Sequence, residues 1–336
     1  MESVVGGMTV MGLRLQTRPY AFELTRALQT ASGNWQLRRG WLLRLDHPDG
    51  RTGWGEVAPL ADELDPACAR SVAALSDQCW SAKELEQHLV QSPPAVAFGL
   101  GAALAEIQGL VGQAGSDGWL PAPPSAHLLP AGDAMPPVLE DLLTTMPADG
   151  VVTVKWKVAA LAESREQRLL EQLLQLLPAN ARLRLDANGG WNLPVAQRWA
   201  ERLQNDNRLE WLEQPLAAGD WTGHQSLLKQ VPVALDEGLR DHPHWRQAWM
   251  GWQVRRPLLE GDPRPLLRQL QQGLPRLMLS TAFETGIGGR WLAHLAALQR
   301  QGPTPAAPGL APGWCPAGPL FSTDPAEVWT AAETQR

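Results

Sequence analysis

Hydrophobic and polar positions along the chain of 336 residues follow two different patterns, which change near residue 95. Over about residues 11–60, apolar and polar positions alternate with the period of two that is typical of antiparallel strands. The turn DHPDG at 46–50 interrupts this alternation, and its Asp49-Gly50 pair favours a tight hairpin. Residues 65–90 then follow a helical pattern. We therefore predict a small α+β domain over residues 1–94.

From about residue 95 the chain repeats short apolar runs that are separated by helical stretches. A helix of small residues at 95–109 precedes the repeat, and its FGLGAAL segment indicates close packing rather than a phosphate loop. The apolar runs are SAHLLP (125–130), VVTVKWKV (151–158), RLRLDAN (182–188), LEWLEQP (209–215), VPVALDE (231–237), GWQVRRP (251–257) and RLMLST (276–281). Strands that alternate with helices indicate parallel βα units and hence an α/β fold.

Ionisable residues recur at or near the C-terminal ends of these runs. They are Lys157, Asp186, Glu213, Asp236 and Arg256, spaced 20 to 29 residues apart. One βα unit of a TIM barrel takes about 30 residues, and the active site of such barrels lies at the C-terminal ends of the strands. We therefore predict a modified (β/α)8-type, TIM-like barrel over residues 95–304. A tail at about 305–336 is expected to pack back onto the first domain.

Three carboxylates in this series, Asp186, Glu213 and Asp236, would meet at the mouth of the barrel. They would repel one another strongly unless a cation lay between them. Three hard oxygen ligands suit Mg²⁺, with Mn²⁺ as a possible substitute. The alternative is that each carboxylate caps the helix that follows it, since aspartate is favoured at helix N-caps. Three carboxylates at one register favour the metal site over the caps.

Two lysines, Lys155 and Lys157, lie on one face of the run VVTVKWKV, because strand side chains alternate between faces. Lysine is rarely buried without a partner. Beside a cation and a second lysine, the charged form is disfavoured, so such a lysine can act as a general base. The alternative is that both lysines form salt bridges to the same carboxylates.

The chain resembles the muconate-lactonizing subgroup of the enolase superfamily over roughly residues 35–300. The motifs that carry the resemblance are GWGEVAPL (53–60), KWK (155–157), RLDANGGWN (184–192), EQP (213–215), LDE (235–237) and STAFETGIGG (280–289). Each motif is weak alone, but their order and their barrel spacing make the combination specific. The resemblance implies that the first domain caps the barrel and that a loop near Ala31–Asn34 closes over the site.

The resemblance also implies roles for single residues. Asp186, Glu213 and Asp236 would hold a catalytic Mg²⁺, Lys157 would abstract the proton, and Lys155 would touch the substrate carboxylate and lower the proton affinity of Lys157. Arg184, Asn188 and Glu237 would support the metal ligands. The hydroxyls of Ser280 and Thr281 and the backbone N–H groups of the turn at Gly286 and Gly288 would be offered to a substrate carboxylate.

One departure from the subgroup changes the expected chemistry. Where the subgroup places a second lysine before a proline, this chain reads QVRRP, which puts Arg256 there, or Arg255 if the alignment shifts by one residue. Arginine stays protonated and cannot abstract a proton, although it can supply positive charge. A single base suits a syn dehydration. The resemblance implies such a reaction, in which a cyclohexadiene carboxylate loses water to become o-succinylbenzoate, a step of menaquinone or phylloquinone synthesis.

Other activities stay open. N-acylamino acid racemases and dipeptide epimerases of the superfamily need one base on each face of the substrate, and the chain offers one lysine. FETG also stands where epimerases tend to carry paired aspartates. Muconate cycloisomerase is compatible with a single base. From a different class, the chain could be a non-catalytic barrel that binds a partner, but packing alone would not need the carboxylates or the lysine pair.

Composition and charge narrow the setting. The net charge of −6 and the pI near 5.7 give no reason to expect nucleic acid. Three scattered cysteines argue against a disulfide framework, and neither a signal segment nor a membrane span is expected. We expect a cytoplasmic enzyme with a small-molecule carboxylate substrate. The pattern predicts neither the oligomeric state nor a role for the sixteen tryptophans.

Overall fold

The computed structural model describes residues 12–30, 33–60, 65–112, 118–146 and 150–333. The elements of its N-terminal part are β1 (Leu13–Thr30), β2 (Gly33–Asp46), β3 (Thr52–Val57), α1 (Pro66–Leu75), β4 (Gln78–Trp80), α2 (Ala82–Gln91) and α3 (Pro94–Ile107). The strands form one antiparallel sheet in the order β3-β2-β1-β4. The α+β class predicted for this part is confirmed.

The helix pattern predicted over residues 65–90 is wrong in its middle. Strand β4 lies between α1 and α2 and pairs with residues 13–15 of β1. Asp77, just before β4, has a φ of 57°, a left-handed conformation that aspartate adopts more readily than most residues. A strand of three residues forms here because it extends an existing sheet, which its own short sequence does not reveal.

Helix α3 lies very close to the first sheet. A Cβ atom on Gly55 of β3 would lie 1.9 Å from the carbonyl oxygen of Gly99 in α3, so only glycine permits this approach. Other side chains of α3, including Phe98 and Ala102, belong to a core cluster of the C-terminal part. The close packing predicted for FGLGAAL is confirmed, and α3 contacts both parts of the molecule.

The elements of the C-terminal part are β5 (His127–Leu129), α4 (Met135–Thr145), β6 (Thr153–Lys157), α5 (Glu163–Leu176), β7 (Arg182–Asp186), α6 (Leu193–Leu203), β8 (Leu209–Glu213), α7 (Trp221–Leu227), β9 (Val233–Leu235), α8 (Glu237–Asp241), α9 (Trp245–Ala248), β10 (Trp252–Arg255), α10 (Pro263–Gln271), β11 (Leu277–Leu279), α11 (Gly286–Gln301) and α12 (Pro325–Glu333). Each predicted apolar run contains one of these strands. The side chains of Asn192 and Asp262 cap the N-termini of α6 and α10.

Strands β5 to β11 form a parallel sheet in consecutive order, as expected of βα units. Its edge strands are joined by residues 308–310. The amide of Gly309 donates to the carbonyl of Leu279 at 2.8 Å, and the amide of Ala126 donates to the carbonyl of Pro308 at 2.9 Å. This segment closes the curled sheet in the place of an eighth strand. The predicted modified, TIM-like barrel with an N-terminal capping domain is confirmed.

The residues after this closing segment return to the first sheet. The amide of Thr25 in β1 donates to the carbonyl of Trp314 at 2.9 Å, and the guanidinium of Arg18 donates to the carbonyl of Trp329 at 2.8 Å. The predicted ranges 1–94 and 95–304 stay predictions. In the structure, α3 bridges both parts, and the tail contributes to both. None of the described helices is long and apolar enough to cross a membrane.

Candidate active site

The parallel sheet places the predicted site residues on one face by its register. Lys157 of β6 lies opposite Asp186 of β7, which in turn lies opposite Glu213 of β8. Residues paired across parallel strands share a face, so the three side chains point the same way at the C-terminal ends of the strands. Asp236 immediately follows β9, and Arg256 immediately follows β10. In sheet order, the two cationic residues Lys157 and Arg256 flank the carboxylates.

Lys155 is held by two of the carboxylates. Its ammonium lies 2.8 Å from Oδ2 of Asp186 and 2.6 Å from Oε1 of Glu213. Burial acts against the charged form, but the negative charges of Asp186 and Glu213 outweigh it and raise the pKa of Lys155 above its ordinary value. The salt-bridge alternative considered for the lysine pair therefore describes Lys155, which is a bound cation rather than a base.

Lys157 differs from its neighbour. It lies on the same face as Lys155 and is half-buried. Within the described part of the chain, no hydrogen-bond acceptor or carboxylate contacts its ammonium group. A lysine at the mouth of the site without a partner is positioned to meet a substrate.

Arg256 reaches the site and Arg255 does not. The guanidinium of Arg256 makes a two-point contact with Asp236, with distances of 3.1 Å and 2.6 Å, and also donates to the carbonyl of Thr281 at 2.7 Å. Burial works against ionisation of Asp236, but Arg256 outweighs it and lowers the pKa of Asp236. Arg255 points to the other side of the sheet, where it pairs with Glu260 at 2.6 Å.

Glu237 has an oxygen atom with no partner. Its Oε1 accepts a hydrogen bond from the side chain of Asn188 at 3.2 Å, whereas its buried Oε2 is unpaired within the described residues. Burial raises the pKa of Glu237 to about 7, with further contributions from the negative charges of Asp236 and Asp186. Burial also raises the pKa of Glu213. We call Asp186, Glu213, Asp236 and Glu237 the mouth cluster. Its four carboxylates are bound by two cations, Lys155 and Arg256, so negative charge is in excess.

This excess of carboxylates over cations fits a bound divalent cation, because a metal ion would supply positive charge beside the unpaired oxygen of Glu237. Among the described residues, no three acidic, histidine or cysteine side chains form a ready metal-binding group. Lys155 and Arg256 bind oxygen atoms that a metal ion would use. The donor set is all oxygen, as Mg²⁺ prefers.

Backbone strain is concentrated around the mouth cluster. Ala159, Asn188, Gln214 and Phe283 have φ values of 61°, 44°, 39° and 60°, and each follows one of the strands β6, β7, β8 and β11 within a few residues. Such conformations cost about 1–3 kcal/mol in non-glycine residues and are concentrated at functional sites. Four of them at one end of one sheet indicate that this end is built for binding or catalysis.

Several predicted residues have other partners in the structure. Arg184 lies below the mouth cluster, where it pairs with Glu210 at 2.6 Å and lies over the ring of Trp211. The hydroxyl of Thr281 donates to Glu284 at 3.0 Å, and that of Ser280 is 3.4 Å from the carbonyl of Gly309. None of these three side chains donates to a residue of the mouth cluster in the described structure.

The glycine turn at the start of α11 is also occupied. The amide of Gly288 donates to Glu56 at 2.8 Å, and a Cβ atom on Gly286 would lie 1.9 Å from the carbonyl oxygen of Ser322. The first contact corrects the expectation for Gly288, because Glu56 already accepts from its amide. The second explains why residue 286 is glycine but does not involve its amide, so the expectation for Gly286 stays a prediction. The predicted closing loop near Ala31–Asn34 includes Ala31 and Ser32, which lie outside the described residues, so the loop stays a prediction.

The residues that bind this turn have no role in the sequence-based predictions. Glu56 of β3 is fully buried and accepts hydrogen bonds from the hydroxyl of Tyr20 at 2.6 Å and from the amide and hydroxyl of Thr285 at 2.9 Å and 2.7 Å, besides Gly288. We call Tyr20, Glu56, Thr285 and Gly288 the interface network. Glu56 stands inside the GWGEVAPL motif, so an acidic residue in an otherwise apolar strand was the available signal.

Comparison with known proteins gives a consistent match. An enolase C-terminal domain-like family model matches residues 138–251, and a MenC N-terminal domain model matches residues 19–107. An o-succinylbenzoate synthase from Thermosynechococcus vestitus is 33% identical over 294 residues, which cover 84% of this chain and 88% of that protein. Another from Edwardsiella ictaluri is 32% identical over 303 residues, which cover 86% and 88%.

Solved structures agree with these matches. The crystal structure of o-succinylbenzoate synthase from Thermosynechococcus elongatus, complexed with Mg in its active site, matches with a TM-score of 0.76 and 30% identity, covering 95% of this chain and 100% of that chain. A dipeptide epimerase from Enterococcus faecalis, complexed with Mg and L-Leu-L-Tyr, matches with a TM-score of 0.68 and 19% identity, covering 88% and 90%. At that lower identity the epimerase shows the shared fold alone.

Proposed function

Because the chain belongs to the o-succinylbenzoate synthase family of the enolase superfamily, we propose that it is a hydro-lyase that converts a hydroxylated cyclohexadiene carboxylate (SHCHC) to o-succinylbenzoate. The observation that carries the mechanism is the contrast between Lys157, whose ammonium has no partner among the described residues, and Arg256, which is bound to Asp236. One free lysine at one edge of the carboxylates suits a reaction that needs one base.

Lys157 performs both proton transfers in this proposal. Its neutral amine takes the proton from the carbon next to the substrate carboxylate, so that this C–H bond breaks. The resulting ammonium gives the proton to the hydroxyl that leaves from the same face, and water departs as the ring becomes aromatic. Arg256 supplies fixed positive charge at the opposite edge of the site, and Lys155 keeps Asp186 and Glu213 together.

Asp186, Glu213 and Asp236 would hold the divalent metal ion, Mg²⁺ in particular, and Mn²⁺ would be a substitute. When bound, the ion would supply positive charge beside the substrate carboxylate while the substrate loses its α-proton. Glu237 and Asn188 would support this site from behind, since Asn188 already orients Glu237. The product would enter menaquinone or phylloquinone synthesis, and the cytoplasmic location expected from the sequence stays a prediction.

The racemase and epimerase alternatives gain no support from the site. Both need a second base opposite Lys157, and the side chain in that position is the guanidinium of Arg256, which stays protonated. An exchange experiment checks this point. Incubation of an N-acylamino acid in deuterated water should give no inversion of configuration, because the single base Lys157 can exchange a proton only on one face. Deuterium incorporation with inversion would show that a second base serves the other face.

The direct test is formation of o-succinylbenzoate by wild-type protein and by Lys157→Ala. We expect the variant to lose at least about a thousandfold in kcat, because general base catalysis contributes about 10²–10⁴-fold and the same side chain also acts as the acid. Lys229→Ala changes an exposed lysine and is the matched control. Turnover by Lys157→Ala at more than a tenth of the wild-type rate would overturn the base assignment, and a wild-type protein that makes no product would overturn the function.

A further inference from the structure

We propose that Gln214 is a positioning residue that fixes the relative placement of Asp186, Glu213 and Asp236 and so sets the affinity of the site for Mg²⁺. This inference rests on the proposed function. Gln214 directly follows Glu213, is fully buried, and has the left-handed φ of 39°. A buried glutamine held in a strained conformation requires compensating interactions.

The side-chain oxygen of Gln214 binds the segment that carries two members of the mouth cluster. It accepts hydrogen bonds from the amide of Asp236 at 3.1 Å and from the amide of Gly238 at 2.9 Å. These two amides lie on either side of Glu237. The carboxylate of Asp236 is held by Arg256, so this residue is fixed both at its side chain and at its backbone.

The backbone of Gln214 joins the other strand ends. Its amide donates to the carbonyl of Ala234 in β9 at 2.8 Å, and its carbonyl accepts from the amide of Gly189 at 2.7 Å. Gly189 lies in the loop after Asp186. One residue therefore connects the ends of β7, β8 and β9, which carry the three proposed metal ligands.

The amide group of Gln214 is itself oriented from behind. Its Nε2 donates to the carbonyl of Leu216 at 3.0 Å and lies 3.4 Å from Nε2 of His224. Nδ1 of His224 lies 2.6 Å from the carbonyl of Asp220, which can only accept, so Nδ1 carries the proton and Nε2 is the acceptor. Nε2 also accepts from the amide of Leu216 at 3.3 Å. These bonds fix which end of the Gln214 amide faces Asp236.

Gln299 provides a matched comparison. It is also buried, and its amide donates to a backbone carbonyl, that of Thr304, at 2.7 Å. It lies in α11, and none of its hydrogen bonds in the described structure reaches the mouth cluster. Replacing each glutamine with methionine removes a buried amide of the same length, so the pair separates loss of packing from loss of ligand placement.

The experiment is titration of the whole purified protein with MgCl₂ by isothermal calorimetry, with thermal unfolding of each variant measured alongside. We expect Gln214→Met to weaken Mg²⁺ binding by about 10- to 100-fold, the usual effect of losing a residue that orients metal ligands. Gln299→Met should lower the melting temperature as well but keep wild-type Mg²⁺ affinity. Gln214→Asn keeps the amide but is one methylene too short to reach both amides, and it should weaken Mg²⁺ binding in the same direction.

Three results would overturn the inference. Wild-type Mg²⁺ affinity in a folded Gln214→Met or Gln214→Asn protein would overturn the role of Gln214 and leave the proposed function standing. Equal weakening of Mg²⁺ binding in Gln214→Met and Gln299→Met would assign the effect to general loss of stability. A wild-type protein that binds no Mg²⁺ at all would instead overturn the proposed metal site, and the inference with it.

Discussion

The mouth cluster and the interface network both contain buried carboxylates, but the two regions satisfy them differently. Glu56 in the interface network accepts hydrogen bonds from two hydroxyls and two amides, so its charge is fully compensated by donors from both domains. Glu237 in the mouth cluster keeps a buried oxygen without a partner in the described structure, next to carboxylates of like charge. Donors satisfy a carboxylate that holds domains together, whereas a carboxylate cluster short of positive charge indicates a site for a cation.

The largest stability effect expected from this contrast is in the interface network. We expect Glu56→Gln to lower the free energy of unfolding by about 3 kcal/mol, because the new amide group places a donor against donors of Tyr20 and Thr285 that are buried. The measurement is urea denaturation at constant pH. The affinity for Mg²⁺ should not change in the folded variant, since the hydrogen-bond partners of Glu56 in the described part of the chain are Tyr20, Thr285 and Gly288, none of which belongs to the mouth cluster.

Glu171→Gln is the control for this prediction. Glu171 forms an exposed ion pair with Arg202, and exposed pairs contribute about 0–1 kcal/mol. A Glu56→Gln protein as stable as Glu171→Gln would show that the donors around Glu56 find other acceptors. Loss of Mg²⁺ binding without loss of stability would contradict the division between the two regions.

A change of opposite sign is expected in the mouth cluster. Without Mg²⁺ at pH 8, Glu237→Gln should be more stable than the wild type by about 1–2 kcal/mol, because Glu237 is ionised there in spite of its raised pKa of about 7. The stability tied to a raised carboxyl pKa is fully present below the ordinary value near 4.5 and is lost as the pH rises through about 7, so the advantage should vanish near pH 4.5.

With saturating Mg²⁺, the wild type should instead be more stable than Glu237→Gln. The wild type gains more stability from saturating Mg²⁺ than Glu237→Gln does, because the lost charge lay beside the proposed metal ligands. Thermal unfolding with and without Mg²⁺ measures both effects, and Glu201→Gln, an exposed change on α6, serves as control. A Glu237→Gln protein that is less stable than wild type without metal would mean that the unpaired oxygen has no energetic cost.

The sequence supported the barrel and the site because both depend on local patterns. Apolar runs with βα spacing, each ending in a charged residue such as Asp186 or Glu213, are visible in a single chain without knowledge of long-range contacts. The alternation also placed Lys155 and Lys157 on one face. It could not separate their roles, because these depend on which ammonium reaches the carboxylates of the neighbouring strands.

The remaining errors come from contacts between distant parts of the chain. The amide of Gly288 is bound by Glu56, 232 residues away, so the expectation that it faces a substrate could not be corrected locally. Strand β4 lies inside the segment 65–90, whose pattern is helical, and it forms because it pairs with β1. Gln214 belongs to the EQP motif at 213–215, but its proposed role depends on a left-handed φ that nothing in the motif indicates.

The smallest effect on stability is expected at Glu284, which lies next to the interface network. Glu284 is buried, and its carboxylate accepts from the hydroxyl of Thr281 and the amide of Ala282. Burial raises the pKa of Glu284 to about 7, with a further contribution from Glu56. The stability that depends on its proton is therefore present below about pH 4.5 and lost as the pH rises through about 7.

Between pH 5.5 and pH 8 the wild type should lose stability as Glu284 ionises. Glu284→Gln should lose about 1 kcal/mol less over the same range. Thermal unfolding at the two pH values, with saturating Mg²⁺ so that the mouth cluster stays bound, measures this difference. Glu140→Gln, an exposed change on α4, should keep the wild-type pH dependence. An unchanged pH dependence in Glu284→Gln would mean that Glu284 stays ionised, and the donors at Thr281 and Ala282 would then compensate it as fully as Tyr20 and Thr285 compensate Glu56.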